Sequence, residues 1–200
     1  MIAGPQRQLV GAEYPAFEEL PVASADDLRR TFRRHAAGVA VVTANGTSGP
    51  VGFTVTSLAS VSADPPRLSF NISHTSSSWP TVSLTRHLGV HLLSADQVEL
   101  AATFARSGAD RFGAPTVWAR GPRRVPILDG CVSWMVGVVE ERVAVGDHSI
   151  VVLRVLHLGG RTEAGHPLLY HDGGFRRLAH PAPGRGRVVH QEVPPRGAAQ

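Results

Sequence analysis

The chain has 200 residues, 42% of them apolar, which suits one globular domain with a sizeable core and excludes a wholly disordered chain. Its net charge is +4 and all 20 basic residues are arginine; with no basic stripe interleaved with aromatics and no helical DNA-reading unit, nucleic acid is set aside as a partner. The single Cys131 excludes an internal disulfide framework, and without a signal-type N-terminus or a bilayer-length apolar run the expectation is a cytoplasmic protein with no membrane partner.

Residues 1–23 carry scattered prolines and Glu13, Glu18 and Glu19 without a period, and read as an N-terminal arm. Ser24 and Asp27 form a capping-box pattern, and Leu28, Phe32 and Ala36 make an apolar stripe opposite Arg29, Arg30, Arg33 and Arg34, predicting a short amphipathic helix with a solvated arginine face. The β-branched run Gly38–Thr43, turn residues Asn45-Gly46 and Gly49-Pro50, and a second run from Val51 to Ser62 predict a hairpin. Asp64-Pro65-Pro66 stops that second strand because proline donates no ladder hydrogen bond, and Arg67–Ile72 alternates as a third.

Pro80 in a first turn predicts a helix over Trp79–Leu84, followed by a strand over Leu88–Leu93 and a helix over Gln97–Phe104. A Pro/Gly-punctuated loop fills residues 113 to 130. Two long strands, Val132–Val145 and Ser149–Leu158, are joined by a tight turn at Gly146-Asp147, and Pro167–Phe175 reads as a last hairpin. From residue 179 a Pro/Gly-rich run with Arg185, Arg187 and Arg196 reads as a disordered tail. Many antiparallel strands with few helices hide their edges best by closing, so the expected fold is mainly β, a closed antiparallel Greek-key β-barrel with a few flanking helices, over residues 24–178.

Chemistry is expected where hydroxyls concentrate. Gly52–Ser62 carries Thr54, Thr56, Ser57, Ser60 and Ser62, whose hydroxyls and amides could bond the rim of a planar heteroaromatic ring; the same composition fits a strand with one solvated face. A second cluster, His74-Thr75-Ser76-Ser77-Ser78, precedes the Trp79-Pro80 helix, where hydroxyls and amides suit a phosphate. The ten histidines show no ligand-type spacing, so no metal is expected. Cys131 reads as a packing residue, as do Trp79, Trp118 and Trp134, and Glu140 and Glu141 face opposite sides of a strand and cannot share a substrate.

From about Leu28 to Leu178 the chain resembles the flavin reductase family, with its FMN-binding split-barrel fold. The resemblance rests on an ordered set of motifs: Phe32, Gly38–Thr43, Gly52–Ser57, Ser60–Ser62, Asp64–Pro66, Ser76–Trp79, Gly89–Leu93, Phe104-Ala105, Asp110–Phe112, Gly146–His148 and Pro167–Tyr170. It implies reduction of FMN or FAD by NADH or NADPH through hydride transfer, in a homodimer that supplies reduced flavin to a partner flavin-dependent monooxygenase. It implies flavin contacts at Gly52, Phe53, Thr54, Thr56 and Ser57 for the ring, Asn71 and Ser73 beside the ribityl chain, Ser77 and Ser78 at the phosphate, and Phe104 and Ala105. The nicotinamide side falls on His148, which also takes the catalytic role, and on Tyr170, His171, Asp172 and Gly173. By itself His148, after Gly-Asp in a hairpin turn, reads more readily as a merely exposed residue. Three sites depart from the family pattern and blur cofactor preference: Ala36-Ala37 in place of Pro-Thr, Arg124 in place of Gly, and Ser78 in place of Thr. The departure at Ala36-Ala37 leaves open a flavin-binding module without NAD(P)H turnover.

Overall fold

The computed structural model describes residues 21–160 and 165–178, so the expected arm, apart from its last residues, and the expected tail lie outside the described residues. The chain divides into two compact units, residues 1–35 and 36–200. In the first, α1 (Ala25–Phe32) begins at the expected capping box: Ser24 Oγ accepts from the Asp27 amide at 3.2 Å, and the Asp27 carboxylate accepts from the Ser24 amide at 2.9 Å. The helix ends at Phe32, one turn short of Ala36, and the stripe it presents is not buried, with Leu28 58% and Phe32 62% exposed.

The second unit is built on a seven-stranded antiparallel sheet. Its strands in chain order are β2 (Ala40–Gly46), β3 (Gly49–Val55), β4 (Ala59–Ser62), β5 (Arg67–Ser73), β6 (His87–Leu92), β9 (Ser133–Val145) and β10 (His148–Gly160), after a short β1 (Ala37–Gly38). They lie side by side in the order β3-β2-β6-β9-β10-β5-β4. The small strands β7 (Trp118–Arg120) and β8 (Pro126–Leu128) form a separate hairpin, and β11 (Leu168–His171) and β12 (Gly174–Arg177) pair with β1 in a three-stranded sheet. Among the described residues this unit has two α-helices, α2 (Trp79–Val82) and α3 (Val98–Ala105). Among the described residues, no helix is long and apolar enough to cross a membrane.

Both faces of β2 are buried, which explains why its sequence shows no apolar–polar alternation. Ala40, Val42 and Ala44 point into the main core with Phe53, Phe70, Leu88, Val90 and Val151. Val41 faces a second core, where Ala101 and Phe104 of α3 meet Leu128 of β8 and Leu168 of β11. Thr43, also fully buried, donates its hydroxyl to the Pro126 carbonyl at 2.7 Å, which fastens the β7–β8 hairpin over this face. His91 lies there too, fully buried, its Nδ1 bonded to the Val41 carbonyl at 3.1 Å and its Nε2 without a partner.

Three expectations change. The run Val51–Ser62 is two strands, β3 and β4, separated by an unpaired step at residues 56 to 58. The loop at 113–130 contains the β7–β8 hairpin, missed because strands of three residues are too short to show a period. The seven-stranded ladder is open: it ends at β3 and β4, which share no ladder hydrogen bonds. Glu140 is also accounted for, since its carboxylate accepts from Arg67 Nε at 2.6 Å and Arg154 Nε at 2.8 Å and so ties β9 to β5 and β10.

Two predictions follow from this packing. Burial drives the His91 pKa from 6.5 down to about 4, so the folded state holds the ring neutral while the unfolded chain takes up a proton. Stability from this residue is complete above pH 6.5 and is lost as pH falls through about 4, an acid-side loss of about 3 kcal/mol. Urea unfolding at stepped pH should show it, and an equal acid slope in a folded His91→Asn variant would refute the assignment. At Gly52, a Cβ would stand 2.7 Å from the Phe104 ring and 2.8 Å from the Val42 carbonyl, so Gly52→Ala should cost about 1–3 kcal/mol in the same assay. A change within ~0.5 kcal/mol would show that β3 and α3 are not so closely apposed.

Candidate functional site

Where the ladder stops, backbone is left free. β4 pairs with β5 only from Arg67 to Ser69, so the rest of that edge of β5, through Asn71 and Ser73, has no strand beside it. The Asn71 amide donates instead to Ser57 Oγ at 2.9 Å. β3 pairs with β2 alone. The Gly52 carbonyl points away from β2, because it accepts from Ser78 Oγ at 3.1 Å, and by strand parity the Thr54 N–H and C=O point the same way. Between these two free edges lies a groove of about 510 Å³, within the ~300–1,000 Å³ common for small-molecule sites.

The α3 helix supplies a wall. Thr54 Oγ1 donates to the Ala101 carbonyl at 2.7 Å, and the bare Cα of Gly52 lets Phe104 close in, so Phe104 and Ala105 line the groove beside β3. Thr54 therefore spends its hydroxyl proton on the helix; what it offers a ligand is backbone. Opposite, Asn71 and Ser73 come from β5, and His148, the first residue of β10 and the register partner of Ser73, stands at the rim. Its Nδ1 lies 2.7 Å from Asp147 Oδ1, a contact that holds the Asp147 carboxyl below its ordinary range and leaves Nε2 unengaged among the described contacts.

At one end the serine cluster turns back on itself. The Ser76 amide donates to the Ser73 carbonyl and the Trp79 amide to the Ser76 carbonyl, which starts α2 with Pro80 in its first turn. Arg142 of β9 donates to the carbonyl of Val82, the last residue of α2, and to that of Thr85 just beyond it. Arg111 reaches the cluster from the loop after α3. Its Nη1 bonds Ser77 Oγ at 3.2 Å, its Nη2 bonds the Arg106 carbonyl at 2.7 Å, and its Nε is buried without a partner. Burial lowers the guanidinium pKa from its ordinary value. Among the described residues no carboxylate lines the groove, and its charged or chargeable groups are Arg111 and His148.

Of the residues expected at the flavin, Phe53, Thr54, Thr56, Ser57, Asn71, Ser73, Ser77, Phe104 and Ala105 all line this groove. Gly52 and Ser78 do not. Ser78 is 1% exposed and its hydroxyl is bonded to Gly52, so the pair braces β3 against the start of α2 from behind the lining. Of the residues expected on the nicotinamide side, His148 lines the groove, whereas Tyr170, His171, Asp172 and Gly173 do not. That hairpin belongs to the smaller sheet, anchored by bonds from the Val39 amide to the Leu168 carbonyl and from the Leu168 amide to the Leu93 carbonyl, and Tyr170 packs edge-on against Phe175 at 5.5 Å.

Thr75 and Ser76 line the groove from the hydroxyl cluster expected to suit a phosphate, whereas Arg111 and Ser107 line it and were not assigned from sequence. For Arg111 a signal existed in Asp110-Arg111-Phe112. Only the fold brings that loop to Ser77, through the edge-on stack of Phe112 between Phe104 and Trp118 at 5.3 and 5.4 Å.

A groove with free strand edges, an aromatic wall and a hydroxyl-plus-arginine end fits a planar heterocycle carrying a phosphate. Comparison with known proteins agrees. The chain is 44% identical over 156 residues to an NADH:FMN oxidoreductase of Rhodococcus qingshengii, covering 76% of this chain and 81% of that one. It superposes with a TM-score of 0.73 on the crystal structure of a flavin reductase domain protein from Arthrobacter sp. FB24, at 44% identity, covering 78% of this chain and 96% of that one. The styrene monooxygenase flavin reductase of Pseudomonas putida S12 gives a TM-score of 0.69 at 27% identity, covering 77% and 99%. Residues 32–179 match the flavin reductase like domain, and the chain belongs to that family.

Proposed function

We propose that the chain is an NADH-dependent flavin reductase whose flavin lies in the groove between β3 and β5. The observation that carries the reading is the groove's far end, where Arg111 and the hydroxyls around Ser77 meet with no carboxylate in the lining, an arrangement that favours a dianionic phosphate. The donor set fits the rest of the cofactor. Thr54 backbone, Thr56 and Ser57 would bond the rim of the ring system, Asn71 and Ser73 would flank the ribityl chain, and Phe104 and Ala105 would close one side against water. When bound, the flavin supplies the hydride acceptor for the reduced nicotinamide.

This chain's own residues align and shield. His148, steadied by Asp147 through Nδ1, would present Nε2 at the open rim and position the nicotinamide there, with no side-chain proton transfer required. A second copy of the chain would complete the site. Its support is the apolar cavity lined by Leu58, Leu92, Met135 and Val155, with Leu158 75% exposed at its edge. The free edges of β3 and β5 would then be the split of a barrel otherwise closed by its strands. Reduced flavin would pass to a partner flavin-dependent monooxygenase, a reading supported by the Pseudomonas putida relative's name as the flavin reductase of a styrene monooxygenase, and the working location would be the cytoplasm.

The direct test mixes protein, NADH and FMN and follows the nicotinamide absorbance band; oxidation no faster than with flavin alone would overturn the reading. Arg111→Ala should weaken FMN about 10–100-fold in a flavin-fluorescence titration while leaving riboflavin, which lacks the phosphate, nearly unchanged. Equal losses for both would place Arg111 elsewhere. His148→Ala should lower kcat/KM for NADH by about tenfold at an unaltered FMN affinity, and a loss confined to FMN binding would remove it from the nicotinamide side.

A further inference from the structure

A cavity of about 310 Å³ opens where the β7–β8 hairpin meets the start of β9 and the last residue of β10. It shares no lining residue with the flavin groove, and its size is at the lower end of the ~300–1,000 Å³ usual for small-molecule sites. Two indoles line it, Trp118 of β7 and Trp134 of β9, together with Leu128, Cys131 and Asp129.

The groups that line this cavity are held in place. Trp118 gives its one polar hydrogen to the Phe112 carbonyl at 3.0 Å and stands edge-on to the Phe112 ring, so what it offers a ligand is aromatic surface. Trp134 lies on its register partner Gly159, where an added Cβ would stand 2.5 Å from the indole. Asp129 is anchored through its backbone on both sides: its amide donates to the Val117 carbonyl at 3.0 Å, and its own carbonyl accepts from Gln97 Nε2 at 2.8 Å. Its carboxylate makes no hydrogen bond or ion pair among the described residues. The Cys131 thiol, pushed up to about 11 by burial with the Asp129 charge adding to the effect, stays neutral beside it.

These walls select by charge. Among the described residues no arginine or histidine lines the cavity, so a phosphate or carboxylate ligand would meet Asp129 uncompensated. A metal ion would find one carboxylate and a protonated thiol, too few donors to hold it. A bare ammonium is strongly hydrated and gains little from apolar walls. A cation that carries its charge on methyl groups suits every surface present: indole rings attract it through their quadrupoles, the carboxylate balances it, and Leu128 and the Cys131 sulfur pack against its methyl groups.

We infer that this cavity is a second ligand site, which takes a small organic cation with a quaternary ammonium group and holds it with Trp118, Trp134 and Asp129. The inference stands apart from the flavin reading, because neither its residues nor its chemistry is shared with the groove.

The test is calorimetric titration of the full chain, without added flavin, by choline and by 3,3-dimethylbutan-1-ol, its neutral isostere, with sodium chloride matching the ionic strength. Choline should saturate one site per chain, and the isostere should bind at least about tenfold more weakly. Asp129→Asn keeps the side-chain shape and removes only the charge; it should weaken choline about tenfold and leave the isostere within about twofold. Trp134→Leu should abolish choline binding and Trp134→Phe should retain part of it, with circular dichroism checking each fold. Where Trp134→Leu fails to fold, the Asp129→Asn comparison decides. No saturable heat with choline, equal affinities for choline and its isostere, or choline binding untouched by Asp129→Asn would each overturn the site.

Discussion

A sheet edge left without a partner costs unsatisfied backbone unless something else takes it up, and this unit leaves two such edges facing one groove. β4 covers β5 only as far as Ser69, and β3 has β2 on one side and no strand on the other. Side chains repair part of the deficit, with Ser57 accepting from the Asn71 amide and Ser78 donating to the Gly52 carbonyl. The remainder, centred on Thr54, is what a ring with donors and acceptors along its rim can satisfy. The groove is thus a gap in the ladder before it is a cluster of hydroxyls.

The gap keeps its width because α3 is held hard against β3. The approach needs the missing side chain of Gly52 and the bond from Thr54 to the Ala101 carbonyl, and it continues through Phe104, Phe112 and Trp118. The same aromatic run delivers Arg111 to Ser77. Packing on the buried outer face of β2 and electrostatics at the end of the groove are therefore one construction. His91, neutral inside that face, marks how little water reaches it.

Local chemistry was readable where it acts over a few residues. The capping box at Ser24, the turn at Gly146-Asp147 joining β9 to β10, and the stop at Asp64–Pro66 all stand where the residue types put them. The break inside Val51–Ser62 was not readable, because Thr56, Ser57 and Leu58 are as compatible with strand as their neighbours are. Whether they pair depends on how far β4 runs along β5. The β7–β8 hairpin escaped notice because its three-residue strands show no period, and its place is fixed from β2 by the Thr43 hydroxyl, 83 residues away.

Most of the groove's lining was named from motif order, since a chain that keeps a family's spacing keeps the segments that meet. By itself the sequence determined the long strands, the hydroxyl-rich segments and the absence of a disulfide framework, because these depend on residue type and short-range geometry. Tertiary structure alone decided which hydroxyls were free. It turned Ser78 and Gly52 into a brace, spent the Thr54 proton on α3, kept Tyr170–Gly173 out of the groove, and brought in Arg111. A residue has a limited number of donors to give, and only the folded chain shows where each is already used.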